Sequence, residues 1–512
     1  MTVSKPKVTI NIRPGIDDIE NEEQRILLIG QKTSAGSATQ EILVENILND
    51  ESENALFGKN SILAEMVRNI KAVNVVTRVD AIPIDDGGSS VAATATVTFS
   101  GPATEDGTIT INIGSSENYS FDLTIVDTDT ATIIGGKLET AVTANTSVPI
   151  TANNVAGVVT LTAVNKGEVG NKIGLSFSGS VAGVGTTLAG FSGGTGDVFP
   201  TTIFNQIASV RYQTVVANFE LVNTANLADG ITDFLDPRFN SENDILDGVG
   251  IISLTDSFSN LTTIATANDS SSLVFLFNQS VSNSDYIAGE MLELDHARSA
   301  QFAGVRALRL TDGANITDFV TASVGTLDTI GGKEIASLPY FNTPFTLLPL
   351  IDIGKESTRT ESDSLLDDGA SYLGNNVART NIVSDEIVTT YKTINAIADT
   401  TFKFLNAVDT SSVIREFFFN NAKARFSQTR LTSGALVANA AIANEAVIRD
   451  FFKQMYNSLA GLLTQSGEDN INFFVQNLDV ILDVANGTVT VSMKVPIVTQ
   501  LRELIVDMKI VF

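Results

Sequence analysis

The spacing of apolar residues changes along the chain, and each change predicts a different kind of element. RILLIG, from Arg25 to Gly30, is a continuous apolar run ended by glycine, as a strand buried on both faces requires. NVVTRVDAIPI, YQTVVANF, GVGIISLTD and SLVFLF supply further strands. Between them the spacing lengthens to that of helices. In LFGKNSILAEMVRNIKAV, Ile62, Met66, Val67 and Ile70 share one face, and Ser61 stands where an N-cap is needed. Further helices are expected around residues 40–49, 223–235, 259–267 and 285–307. Strands alternating with helices imply a parallel or mixed sheet covered on both faces.

After Asp85-Asp86 the period falls to two. ATATVTF, GTITINI, YSFDLTIV, GVVTLTAV and NKIGLSF are short alternating strands separated by turn residues, the reading of a β-sandwich, and only residues 130–145 look helical. GFSGGTGD returns the chain to longer elements. Residues 87–199 therefore read as an inserted all-β sandwich domain between two parts of an α/β core, 25–86 and 200–355, and its flanking glycines mark it as a separately folding outward decoration. The charged loop IDIGKESTRTESD leads into an α+β C-terminal domain, residues 356–512. There NEAVIRDFFKQMYNSLAGLL carries a stripe of Val447, Phe451, Met455 and Leu459, widened by Ile448 and Phe452, and Asn486-Gly487 signals a hairpin.

Both ends alternate too. Val8, Ile10 and Ile12 in an N-terminal arm (residues 1–24), and Leu504, Val506, Met508, Ile510 and Phe512 at the other end, place apolar side chains on every second residue without a local mate. Such edges aggregate unless something covers them, so both terminal strands are expected to pair with another chain.

Composition narrows the function. With 512 residues, 43% hydrophobic and 18% charged, the chain is globular and large enough for several domains. A net charge of −27 argues against nucleic acid and anionic membranes as partners, since both need basic stripes. The absence of cysteine removes disulfides and thiol chemistry. Neither a secretory signal nor an uncharged apolar run of about 18 residues is present, so a protein that stays in the cytoplasm where it is made is expected.

Candidate chemistry is sparse. His296, the single histidine, lies in a helical stretch, and no GxSxG elbow accompanies it, so no catalytic residue is expected. IIGGK (residues 133–137) and TIGGKE (329–334) lack phosphate-loop spacing and read as turns. Asp127 and Asp129 have calcium-loop spacing, but Ala131 and Thr132 occupy the next required places, leaving a polar turn; no metal or cofactor is expected. The informative charge feature is a window at residues 401–460, positive by about three within an acidic chain. It matches an acidic partner surface or is a set of scattered solvated side chains.

Four stretches in order resemble the contractile-tail sheath proteins of bacteriophages, in particular the Mu-like branch. They are RILLIGQKTSAG followed by ALFGKNSILAEMVRNIKAVN; SVRYQTVVANFELVNTANLADGITDFLDPRF; DDGASYLGNNVARTNIVSDEIVTTYKT; and YNSLAGLLTQSGEDNINFFVQNLDVILDVANGTVTVSMKVPIVTQLREL. The segment NNAKARFSQTRLTSG has the basic character of the family's corresponding region but not its usual KLADDG-like ending. The resemblance implies a core of subtilisin-like topology without protease activity and a structural role needing no cofactor. It implies hexameric rings stacked in a helix around a tail tube, with baseplate and tail terminator proteins as further partners. It also implies terminal arms that add strands to neighbouring C-terminal domains, a place in the virion tail after assembly in the host cytoplasm, and a contraction that drives the tube through the host envelope. Lys423, Arg425 and Arg430 are the candidate tube contacts on that reading. The rival is an extracellular adhesin or surface-layer protein, and an α/β enzyme comes third.

Overall fold

A computed structural model of the chain describes residues 24–47, 52–114, 118–145, 148–196, 200–218, 227–239, 245–279, 295–311, 335–345, 347–348, 350–351, 356–435 and 441–499. They form two compact units, divided between Ser412 and Val413.

The larger unit opens with β1 (Arg25–Lys32), α1 (Ser52–Phe57), α2 (Ile62–Val73) and β2 (Arg78–Asp85). Ser61 caps α2, its hydroxyl accepting from the Ala64 N–H at 3.2 Å. The helix is buried on nearly every side rather than along one stripe, so that even Glu65, Asn69 and Lys71 lie inside. Residues 40–47, expected to be helical, are instead irregular and extended. Glu41, Val44 and Ile47 donate to the carbonyls of Pro83, Ala81 and Val79, because the outer edge of β2 offers acceptors that a short helix without an apolar stripe cannot match.

The insert comprises β3 (Thr94–Phe99), β4 (Gly107–Gly114), β5 (Asn118–Ile125), α3 (Ala131–Ala144), β6 (Ile150–Val155), β7 (Val158–Ala163), β8 (Gly174–Ser178) and β9 (Thr186–Ser192). Two antiparallel sheets, ordered β6-β7-β3-β9 and β5-β4-β8, turn alternate residues such as Val97, Phe99, Ile109 and Ile111 into one core. The domain is not all-β: Ile134, Leu138 and Val142 of α3, spaced four apart, enter the same core, and Thr130 caps the helix. IIGGK lies within α3 and is not a turn. A Cβ at Gly135 would stand 2.4 Å from Asn154 Oδ1, so a larger residue there would have to push that side chain aside. Asp129 accepts from Lys137 Nζ and the Val126 N–H, closing the polar strand-to-helix turn.

The chain re-enters the core as β10 (Thr214–Ala217), α4 (Leu227–Phe239), β11 (Val249–Asp256), α5 (Phe258–Ala267), β12 (Leu273–Gln279), α6 (Asp295–Arg309), β13 (Pro344–Phe345), α7 (Arg359–Asp368), β14 (Ala370–Asn375) and β15 (Ile382–Ser384). One eight-stranded mixed sheet results, in the order β13-β15-β14-β12-β11-β10-β1-β2. It is parallel from β2 to β14, and β15 runs antiparallel between β14 and β13. The sheet therefore does not stop at residue 355, where a domain boundary was expected. Within the stretch read as a charged loop, Thr358 and Glu361 form a reciprocal capping box that starts α7 and delivers β14 alongside β12.

A short hairpin, β16 (Thr393–Ile394) and β17 (Ile397–Ala398), precedes α8 (Leu405–Phe426), within which the division between units falls. On the first half of α8, buried Asp409 accepts from Arg306 Nη2 at 2.5 Å and from the Tyr340 hydroxyl at 2.7 Å. Burial, followed by the Asp409 charge, pushes the Tyr340 phenol far up.

The insert is joined to the core by more than its flanking residues. The Asn165 carbonyl accepts from the Ile62 N–H at 2.9 Å at the start of α2, and its amide donates to Lys32 O and Asp86 Oδ1 at 3.2 and 3.1 Å. Val169 belongs to the main apolar core, and Lys172 Nζ reaches Asp295 at the start of α6.

Candidate assembly surface of the C-terminal unit

The smaller unit continues from α8 through β18 (Arg430–Leu431), β19 (Ile442–Ala443), α9 (Glu445–Leu459), α10 (Glu468–Gln476), β20 (Asp479–Asp483) and β21 (Thr488–Ser492). The buried face of α9 is centred one residue on from the expected stripe: Ile448, Phe452, Tyr456 and Leu459 are buried, while Val447, Phe451 and Met455 are half-buried. Aromatic contacts select this face. Tyr456 stacks on Phe474 of α10 with centroids 4.3 Å apart, and Phe452 meets Phe418 at 5.8 Å.

Beyond this small core stands the β20–β21 hairpin, paired from Asp479↔Ser492 to Asp483↔Thr488. The Asp483 carboxylate accepts from the backbone and side-chain N–H groups of Asn486, bonds that hold it below the usual carboxylate range. Arg449 of α9 donates to Leu478 O and fixes the base. Side chains alternate as a half-buried sheet requires: Val480 is buried and Leu482, Val489 and Val491 half-buried, whereas Ile481 is 59% exposed between Asp479 and Asp483. No third strand pairs with this hairpin among the described residues. Two-stranded sheets are marginal alone, and both outer edges present backbone groups able to accept another strand.

Lys423 and Arg425 lie exposed in the last turn of α8, and Arg430 lies exposed in β18. The fold thus brings these three cations to one helix end and the strand after it. Lys423 and Arg425 sit 5.6 Å from the rings of Phe419 and Phe426, and among the described residues no ion pair engages any of the three. The last-turn position is favourable for cations in any helix. Other members of the basic window are committed elsewhere: Lys403 pairs with Asp367 at 2.8 Å and Arg449 with Glu445 at 3.1 Å. The terminal strand residues Val8, Ile10, Ile12, Leu504, Val506, Met508, Ile510 and Phe512 lie outside the described residues.

His296 is buried in the larger unit with its Nε2 2.8 Å from Glu65 Oε2, which ties α6 to α2. Ser299, the nearest hydroxyl along the helix, donates to carbonyls of its own helix. Among the described residues no cluster of His, Cys, Asp or Glu is arranged to hold a metal ion, and no helix is long and apolar enough to cross a membrane. Asn165 and Lys172 were not singled out from sequence; a lone Asn or Lys in a strand-rich segment carries no signal of what it will meet.

Over 151 residues the chain is 36% identical to the Mu-like prophage FluMu tail sheath protein of Haemophilus influenzae, a match spanning 30% of each chain. No protein-family model matches it. Among solved structures it is similar to the sheath tail protein of Desulfitobacterium hafniense (14% identity, TM-score 0.45, 93% of this chain and 94% of that one). It is also similar to the sheath tail protein of Listeria innocua (14%, 0.46, 94% and 93%) and to the helical sheath of the anti-feeding prophage in its contracted state (8%, 0.47, 99% and 99%).

Proposed function

We propose that the chain is the structural subunit of a contractile tail sheath, polymerising helically around a tail tube and contracting to drive the tube through a host envelope. The observation that carries the reading is the β20–β21 hairpin, which has no third strand among the described residues and so could accept one from another copy. The 36% identity to a tail sheath protein supports it over the matched part. On this reading the terminal segments around Val8 to Ile12 and Leu504 to Phe512 are donated to neighbouring hairpins. A donated segment and a different acceptor make a heterologous contact, which builds an open helical polymer wherever its rotation does not close into a ring.

The finer features belong to the same proposal. Subunits form hexameric rings stacked in a helix, and Lys423, Arg425 and Arg430 face an acidic tube. Baseplate and terminator proteins cap the polymer, the core follows subtilisin-like topology without catalysis, and the particle assembles in the host cytoplasm and works in the virion. Contraction is a rigid-body rotation of subunits with the arms as hinges, its energy stored at assembly. Electron microscopy of the purified protein tests the proposal. Hollow helical cylinders are expected; flat sheets would indicate a surface layer, and discrete particles would contradict polymerisation.

A further inference from the structure

Asn486-Gly487 is the one Asn-Gly step in the 512 residues. It lies in the exposed loop, residues 484–487, that closes the β20–β21 hairpin beyond the paired Asp483 and Thr488. An asparagine followed by glycine holds an electrophile and a nucleophile in one dipeptide: the glycine nitrogen reaches the asparagine Cγ by closing a five-membered ring. Glycine favours that closure, because no Cβ crowds its nitrogen and its backbone enters conformations that other residues avoid. Gly487 is at φ 70°, and no heavy atom lies within 4 Å of where its Cβ would stand. Asn395 of the β16–β17 turn is also exposed, but Ala396 follows it and carries a Cβ.

The folded loop holds this reaction back. Asp483 Oδ2 accepts from Asn486 Nδ2 at 2.7 Å, and Asp483 Oδ1 accepts from the Asn486 N–H at 3.0 Å. The amide nitrogen that would have to leave is therefore tied to a carboxylate, and bonds to a charged acceptor are stronger than neutral ones. These bonds hold the Asp483 carboxyl below its usual range, so it stays charged. The clamp thus persists in alkali, where the glycine N–H is most readily lost and ring closure would otherwise be fastest.

We infer that Asn486 is a self-modification site, converting spontaneously to aspartate or isoaspartate whenever the Asp483 clamp opens. The Gly487 nitrogen gives its proton to solvent and bonds to Asn486 Cγ; the Cγ–Nδ2 bond breaks, and Nδ2 departs as ammonia. One water then opens the succinimide at either carbonyl and leaves a carboxylate. That product has lost the side-chain donor to Asp483 and places a second negative charge against the first. Isoaspartate also adds a methylene to the main chain of a loop whose length sets the Asp483↔Thr488 register. The chemistry does not depend on the sheath reading; on that reading, a subunit kept unassembled loses its acceptor hairpin with age.

Incubation of the full chain in mildly alkaline buffer, followed by peptide mass spectrometry, tests the site. Asn486 should be converted ahead of Asn395, the exposed control. Asp483→Ala should speed conversion at Asn486 by about three- to tenfold, the worth of the lost clamp, and leave the rate at Asn395 unchanged. Conversion at Asn486 no faster than at Asn395, or an Asp483→Ala rate at or below the parent's, would overturn the inference. Hydrogen exchange reads the consequence: in Asn486→Asp the amides of β20 and β21 should exchange faster than in the parent, and equal exchange would overturn the claim that modification loosens the hairpin. None of these readouts uses cylinders, so failure here leaves the sheath reading standing, and absence of cylinders leaves this site standing.

Discussion

Lys172 Nζ stands 3.1 Å from Asp295 Oδ2, joining the inserted domain to the first residue of α6. The carboxylate is buried, and it also accepts from the Thr255 N–H and hydroxyl at 3.0 and 2.6 Å. Burial alone would raise the Asp295 carboxyl, but Lys172, then Arg298 and the two Thr255 bonds, hold it below the usual range. A depressed carboxylate contributes stability above its unfolded value, near pH 4, and loses it as pH falls through the folded value. Lys172→Met should therefore cost about 2–3 kcal/mol at neutral pH, short of a wholly buried pair because Arg298 remains near. The difference from the parent should shrink below about pH 4. Denaturant melts at pH 7 and pH 3.5 check both.

Excision of the insert follows the same logic. Replacing residues 89–196 with a short linker would strip Ile62 of its acceptor, remove Val169 from the core and strand Asp295. The excised protein should melt well below the parent, with hydrogen exchange fastest in α2 and α6. A parent-like melt would restore the view, natural from composition alone, of a detachable decoration.

Much of this architecture was legible in the sequence. Continuous apolar runs gave β1, β11 and β12, and Ser61 gave the start of α2, because burial on two faces and capping both leave local marks. What was not legible depends on distant partners. Residues 40–47 lie extended because β2 offers an edge, and β14 extends the sheet past residue 355 because β12 receives it. The buried face of α9 turns by one residue because Tyr456 finds Phe474. For the candidate assembly surface, Asn486-Gly487 and the cations were readable, whereas the absence of a third strand beside the hairpin among the described residues needed the surrounding fold.

Asp409 anchors α8 by accepting from Arg306 and Tyr340. Asp409→Ala should leave the Arg306 guanidinium buried without this partner and cost about 3–5 kcal/mol. Reduced soluble yield and a lowered melting temperature would register the loss.

If Lys423, Arg425 and Arg430 grip an acidic tube, reversing all three to Glu should weaken co-sedimentation with tubes while tube-free polymerisation continues. Because screening is weakest at low salt, the deficit should be largest there and fade as ionic strength rises. Equal co-sedimentation at low salt would assign these cations to helix capping alone.

The most direct test of polymerisation by strand donation is removal of residues 503–512, followed by electron microscopy, light scattering and thermal melting of the same preparation. Covering three or four large apolar side chains at about 1.5–3 kcal/mol each gives a gross gain of roughly 5–10 kcal/mol per arm, before the cost of ordering the segment. Repetition over many subunits would make the polymer strong even where one arm is weak. The expected result is a folded protein with a near-parental melt that forms no cylinders. Cylinders from the truncated chain, or a collapsed melt placing the strand in its own subunit's core, would contradict the account.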